Sequence, residues 1–551
     1  MKEKIWQKKY DKGVPVSIPF SRITLDQLLE KTCRHFPGRT ALLYENCKLS
    51  YRDVWRSVVG MASKFIKYGL KRSQPVLLLL PNCPQFVICY YAVLRAGGVV
   101  VATNPRYTID EIQSQIKQTG VRWVICAGYT IEKILSIRTP CKIEKIIVVD
   151  LTEGSKGKNK PYRTNEKQEY IVNYEDLIRV GSKIVKGRSR YHQPAVLQFS
   201  GGTTGTPKAA VGLHRNLVAN TIQFRSWLKG LHEGKEVVLA AIPLFHVYGM
   251  VIAMSLGIYL GATIVLISDA RDTQAIVKAI DRWHITLFPG VPNMYYSIIN
   301  LPKQQLEGLL LTSIKACISG SAPLSPLIKR GFEQMSGGKL MEGYGLSEAP
   351  TATHCNPMFG ENREGSIGLP LPGVDCQVVD VDSGKKELPI GQPGELIIRG
   401  PQVMQGYYHD RLETKKTIRK GWLYTGDIAR MDADGYFYLA GRKKELIKVG
   451  GFQVWPNEIE EVLMKCGTLQ EVAVAGVQDK RGSEEIIAWV VRKAGSRITA
   501  KDLRDWCKSR LVDYKVPRRI FFSSALPRST VGKILKRKLT EGYRNKKSDP
   551  M

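Results

Sequence analysis

An α/β architecture is expected from three features of this chain. Short apolar runs alternate with amphipathic helical stretches over most of its length, short strands with turn signals follow beyond residue 375, and a second, smaller strand–helix pattern occupies the carboxyl end. The large amino-terminal part, residues 1–441, is read as parallel α/β sheets plus a small β-barrel-like part, and residues 442–551 as a small α+β domain. A chain of 551 residues exceeds what one hydrophobic core usually organises, so more than one domain is expected.

The elements follow in order. Residues 75–80 read as a buried strand. Phe86, Tyr90 and Leu94 recur at helical spacing until Gly97 and Gly98 stop the helix, and 99–101 is the next strand. Thr108 and Glu111 make a capping box for a helix ending near Gly120, and 121–126 is again strand-like. In the middle of the chain a helix over 273–284 leads into a strand at 285–288. A strand at 314–318 leads into the loop Ser319-Gly-Ser-Ala-Pro323, and 339–342 leads into a loop at 343–348. Ligands of open α/β sheets sit at loops leaving the carboxyl ends of strands, so these loops are expected to share one rim. Residues 375–438 read as short strands with turns such as Asp434-Gly435; strands near 472–477 and 486–491 and a helix over 501–510 form the last part.

Composition narrows the function. With 43% apolar residues the chain can bury a sizeable core, and its eleven cysteines show neither C-x-x-C nor regular spacing, which fits a reducing cytoplasm rather than a disulfide framework. The amino terminus lacks the apolar segment of a signal peptide. Residues 247–267 are long and uncharged enough to suggest a membrane span, but Gly249, Gly257 and Gly261 interrupt them, and they read as a buried helix and strand. The net charge of +32 is spread along the chain without a nucleic-acid-binding pattern, so no nucleic-acid partner is expected. A solvated lysine-rich surface and peripheral contact with an anionic membrane, at its inner face, both stay open. A homodimer is compatible with the sequence. No H-E-x-x-H and no G-x-S-x-G occurs, which removes the zincin and serine-hydrolase readings.

The most informative stretch is Phe199-Ser-Gly-Gly-Thr-Thr-Gly-Thr-Pro-Lys208. Gly201, Gly202 and Gly205 let backbone N–H groups approach an anion, Ser200, Thr203 and Thr204 donate hydroxyls, and Lys208 neutralises charge, so the loop suits phosphates. Pro207 separates the last glycine from Lys208, so this is not a Walker A loop. A flexible linker is the plain alternative. The stretch resembles the signature Thr-Ser-Gly-Thr-Thr-Gly-x-Pro-Lys-Gly of the adenylate-forming superfamily of acyl-CoA synthetases, luciferases and adenylation domains, with Ser200, Gly201 and Ala209 departing from it.

That resemblance continues along nearly the whole chain and implies the remaining roles. Glu342-Gly343-Tyr344-Gly-Leu-Ser347-Glu348 is similar to the family's Tyr-Gly-x-Thr-Glu motif: Tyr344 would stack on adenine, Ser347 contact the α-phosphate, and Glu348, with Ser200, help hold Mg²⁺. Ser321 and Ala322 would lie along the purine. Asp427, in Tyr-Thr-Gly-Asp, would take the ribose hydroxyls with Arg442 beside it. His246, in Pro-Leu-Phe-His, would lie by the acyl carboxylate and the thiol path. Lys533, in Leu526-Pro-Arg-Ser-Thr-Val-Gly-Lys533-Ile, would bridge carboxylate and α-phosphate. Lys444 would be the hinge on which a mobile carboxyl-terminal domain pivots, and Lys448, Gly450 and Gly451 would line the coenzyme A path. The implied substrates are ATP, coenzyme A and a fatty acid, with Mg²⁺. The motifs look closest to bacterial long-chain fatty-acid–CoA ligases; aryl, coumarate-type or medium-chain acids are the alternative, and a non-catalytic polyanion-binding protein the remote one.

Overall fold

The computed structural model describes residues 4–151, 169–178, 186–200, 207–449, 452–478, 484–528 and 534–548. The described chain divides into two compact units. The first draws on 1–200, 207–375 and 399–421, and the second on 376–398 and 422 onward.

Two sheets organise the first unit. In the seven-stranded sheet, the strands Ile171–Asn173, Lys145–Val149, Trp123–Ala127, Pro75–Leu79, Val99–Ala102 and Pro194–Phe199 run parallel in that order, and Ala209–Leu213 closes the edge antiparallel. Burial explains the sequence: Val76, Leu77, Leu78 and Leu79 are fully buried, as strands covered on both faces must be. The helix Pro84–Arg95 starts with proline at its first turn and ends at Gly97 (φ +86°), a left-handed position that glycine takes without strain. The Thr108 cap is present: Thr108 N–H donates to Glu111 Oε2 at 2.8 Å, and Glu111 N–H donates to Thr108 Oγ1 at 3.3 Å.

In the nine-stranded sheet, Lys339–Leu346, Ala316–Ser319, Leu287–Gly290, Val237–Ala240 and Thr263–Leu266 lie side by side and parallel. Their carboxyl ends share a rim, as the sequence predicts. The 247–267 stretch is a buried helical segment, Gly249–Ser255 and Leu256–Tyr259, followed by the strand Thr263–Leu266. No helix among the described residues is long and apolar enough to cross a membrane.

One expectation needs correction. Residues 343–346 are not loop: the strand runs Lys339–Leu346, pairs antiparallel with Ala349–Cys355, and leaves only Ser347 and Glu348 as the turn. Glycines invite a loop reading, but here Gly345 serves close approach, because a β-carbon on it would collide with the Thr351 carbonyl.

The second unit contains an antiparallel sheet that includes Gly394–Arg399, Trp422–Met431 and Phe437–Arg442. It also contains a three-stranded sheet of Leu469–Gln478, Glu484–Arg492 and Arg519–Phe522, with the helices Pro456–Met464 and Ala500–Lys508. Val454, Ile459, Leu463, Val474, Ala488, Val490 and Leu503 fill the core of this second part and are fully buried.

Candidate functional site

Strand ends position each candidate group. The glycine-rich loop joins Pro194–Phe199 to Ala209–Leu213, and its base is closed by Ser200 N–H donating to Lys208 O at 2.9 Å. Gly201, Gly202, Thr203, Thr204 and Gly205 lie outside the described residues. Lys208 Nζ is 3.0 Å from Glu413 Oε2 and 3.9 Å from Asp410 Oδ2, with its side chain 37% exposed. Solvent reaches this pair and screens it.

On the nine-stranded sheet, the Lys339–Leu346 strand carries Glu342, Gly343 and Tyr344, and its turn carries Ser347 and Glu348. The buried Tyr344 ring meets His354 edge-on, with centroids 5.8 Å apart. Burial pushes His354 down to about 3, so this imidazole is neutral and adds no charge beside the tyrosine. Glu348 Oε1 accepts a hydrogen bond from the Tyr407 hydroxyl at 2.8 Å. Tyr407 is a site residue that the motif reading missed; one tyrosine in Gly-Tyr-Tyr carries no spacing signal.

Glu342 is almost fully buried and accepts from Leu324 N–H at 3.3 Å, which ties the strand to the Ser321–Ala322 loop. Desolvation raises its carboxyl to about 8 from an ordinary 4.5. The folded protein therefore holds this proton between about pH 4.5 and 8 while the unfolded chain releases it, so this group's share of stability falls as pH rises through that window. Glu342→Gln is expected to flatten the fall in unfolding free energy between pH 6 and pH 9, as measured by urea denaturation at each pH. An unchanged pH dependence would refute the assignment.

The neighbouring rim carries Ser321, exposed and at φ +71°, and Ala322, half-buried, directly after the Ala316–Ser319 strand. Behind them the Tyr248 hydroxyl donates to Ile318 O at 2.6 Å. His246 lies two residues before it; its Nδ1 accepts from Tyr248 N–H at 3.2 Å, which leaves the neutral ring's proton on Nε2. Asn82, which the sequence reading also missed, fixes this loop. Its amide donates to Ala240 O and Ile242 O, each at 2.9 Å, and its oxygen accepts from Leu244 N–H at 2.8 Å. Nothing in the sequence near Asn82 signals that role, because its partners are more than 150 residues away.

In the second unit, Asp427 and Arg442 face each other across neighbouring strands, with Asp427 Oδ1 2.9 Å from Arg442 Nε. Asp427 is 4% exposed and its N–H donates to Thr425 Oγ1 at 3.0 Å. Lys444 is exposed in the short turn Lys443–Glu445, and Lys448 is exposed on the strand Ile447–Val449, its N–H bonded to Glu484. Gly450, Gly451 and Lys533 lie outside the described residues. No group of three or more His, Cys, Asp or Glu side chains set to hold a metal occurs among the described residues. Glu348, held by the Tyr407 hydroxyl, nevertheless offers the carboxylate oxygens that suit Mg²⁺, an ion that keeps several water ligands of its own.

Comparison with known proteins places the whole chain. The AMP-binding enzyme family matches residues 29–408, and the AMP-binding enzyme C-terminal domain matches residues 458–533. The chain is 38% identical to a long-chain-fatty-acid–CoA ligase of Bacillus subtilis over 98% of both chains. It is 33% identical to the Escherichia coli protein of the same name over 99% of both. The ATP-bound structure of MatB from Rhodopseudomonas palustris superposes with a TM-score of 0.84 at 26% identity, covering 95% of this chain and 99% of that one. The family model covers more than half of the chain and the identity runs end to end, so the chain belongs to the AMP-binding enzyme family.

Proposed function

We propose that this protein is an ATP-dependent, AMP-forming acyl-CoA synthetase that activates a fatty acid, long-chain by preference, and transfers it to coenzyme A. The observation that carries this reading is the end-to-end 38% identity with a long-chain-fatty-acid–CoA ligase. In the first half-reaction a carboxylate oxygen attacks the α-phosphorus of ATP, pyrophosphate leaves and a mixed anhydride forms. Lys208 and the glycine-rich loop bind the β- and γ-phosphates, Tyr344 with Ser321 and Ala322 holds adenine, Ser347 contacts the α-phosphate, and Asp427 with Arg442 takes the ribose. Glu348 and the Ser200 hydroxyl would hold Mg²⁺, which would supply charge neutralisation to the phosphates. Lys533 draws the two anions together.

In the second half-reaction the thiolate of coenzyme A attacks the acyl carbon and AMP leaves. His246 receives the thiol proton at Nδ1 once its contact with Tyr248 loosens, or orients the carboxylate from Nε2. The 442–551 domain pivots at Lys444 between the two steps, bringing Lys448, Gly450 and Gly451 to the pantetheine path. Pyrophosphate release measured over a panel of alkyl and aryl acids tests the reading. Release that depends on long-chain acids is expected, aryl-only release would move the substrate class, and no acid dependence anywhere would overturn the assignment.

Peripheral contact with an anionic membrane belongs to the same reading, since the substrate partitions into lipid. It is supported by exposed basic residues on and after the short helix Arg411–Thr417, namely Arg411, Lys415, Lys416, Arg419 and Lys420, in the same segment as Leu412, which is 76% exposed. Each basic residue near an anionic surface contributes about 1 kcal/mol. Lys415→Glu with Lys416→Glu should therefore weaken co-sedimentation with phosphatidylserine-containing vesicles by roughly tenfold or more at low salt. Equal binding of variant and wild type would remove this surface from consideration.

A further inference from the structure

We propose that Tyr407 is a positioning residue for the nucleotide phosphates, set on a strap of residues 404–408 that fastens the two phosphate-binding segments together. The proposal rests on the acyl-CoA synthetase reading above and adds to it a residue whose task is to aim two charges.

The backbone makes the strap. Gln405 N–H donates to Val211 O at 3.0 Å, Val211 N–H to Gly406 O at 2.9 Å, and Tyr408 N–H to Ala209 O at 2.8 Å, so the segment runs beside the strand that leaves the glycine-rich loop. At its other end Met404 N–H donates to Glu348 O at 2.9 Å, pinning the turn of the Tyr344 hairpin. Four of these five residues thus bond through their backbone to segments that come from two different sheets. Ordinary packing would not require one short stretch to bridge both.

The Tyr407 side chain repeats the bridge with charge. Its hydroxyl donates to Glu348 Oε1 at 2.8 Å, while its ring centroid is 5.7 Å from Lys208 Nζ. The carboxylate oxygen has no hydrogen to give, so the phenol is the donor of this bond. Fixing one carboxylate oxygen by this bond orients the second, and a glutamate that would otherwise sample several rotamers is presented in one. The ring face attracts the lysine ammonium. Tyr407 is itself held, since its N–H donates to Thr414 Oγ1 at 2.8 Å and that hydroxyl donates to Asp410 O at 2.7 Å. Asp410 and Glu413, on the same turn as Thr414, also pair with Lys208.

Tyr407→Phe removes one oxygen and keeps the ring. Nucleotide binding is read by equilibrium dialysis with labelled ATP, without acid, across a Mg²⁺ titration. Losing a hydrogen bond to a charged group should raise both the half-saturating ATP and the Mg²⁺ it requires by roughly ten- to hundredfold. The melting temperature should stay within a few degrees, and thioester formation from supplied acyl adenylate should proceed at the wild-type rate. The proposal is overturned if the variant binds ATP with the wild-type Mg²⁺ dependence. It is equally overturned if both half-reactions slow together with a fall in melting temperature, the signature of a packing role. Because binding is read without acid, this outcome is separate from the acid-panel result that tests the enzyme assignment itself.

Discussion

Replacing Lys533 by alanine is expected to cut acyl-adenylate formation by at least about a hundredfold, while thioester formation from supplied acyl adenylate and coenzyme A continues. The physics is local. A carboxylate must approach a phosphorus already surrounded by anionic oxygens, and the pentavalent arrangement that follows concentrates more negative charge than either reactant. A single ammonium placed between the two anions lowers that barrier in a site from which water is excluded, and solvent cannot substitute for it at equal strength. The residues on either side of the lysine are held in place. Arg528 pairs with Ile534 in an isolated antiparallel bridge, and Leu535 N–H donates to Pro527 O at 2.8 Å. Arg528 is 2.9 Å from Glu471, and Lys536 is 3.1 Å from Glu445 and 2.9 Å from Glu460. The split between half-reactions makes the test specific, because a folding defect would depress both. Pyrophosphate–ATP exchange measures the first step and thioester release the second. A loss below about tenfold in exchange, or an equal loss in both steps, would remove Lys533 from the chemistry.

Much of this site is legible in the sequence because its chemistry is local. Three glycines, a set of hydroxyls and a lysine in one decapeptide suit phosphates by composition, and the strands Pro194–Phe199 and Ala209–Leu213 that flank the stretch pair antiparallel. The capping box at Thr108 and Glu111 is likewise a four-residue signal, and the helix it predicts begins where expected. What escapes the sequence is whatever depends on distant partners. Asn82 holds the His246 loop from across the first unit, and Tyr407 reaches Glu348 over 59 positions. Neither has a spacing that a window of residues could register. The misread of 343–346 has a different cause: glycine breaks most strands, but Gly345 is accommodated because the facing strand comes too close at Thr351 for any side chain. Glu342 shows the same limit in electrostatic form. Glu342 belongs to a motif read from the sequence, but only its burial shows that its carboxyl is pushed up to about 8.

Asp427→Ala should lower kcat/KM for ATP by roughly a hundredfold or more, since hydrogen bonds to a charged acceptor are individually worth about 1.5–3 kcal/mol and two are lost. The carboxylate is prepared for the role. It is 4% exposed, Arg442 engages Oδ1 at 2.9 Å, and the Thr425 hydroxyl anchors its backbone N–H. The ion pair fixes the direction of the carboxylate, and one carboxylate can accept from the two vicinal hydroxyls of a ribose. Substrate analogues separate this role from a structural one. Wild-type enzyme should use 2′-deoxy-ATP and 3′-deoxy-ATP poorly, because each leaves a buried acceptor unpaired, whereas the alanine variant should treat all three nucleotides nearly alike. Asp427→Asn, which preserves shape and one acceptor oxygen, should fall between them. If the variant keeps the wild-type preference for ATP over its deoxy analogues, Asp427 holds Arg442 and the strand register but not the sugar, and the ribose contact must be sought elsewhere on the protein.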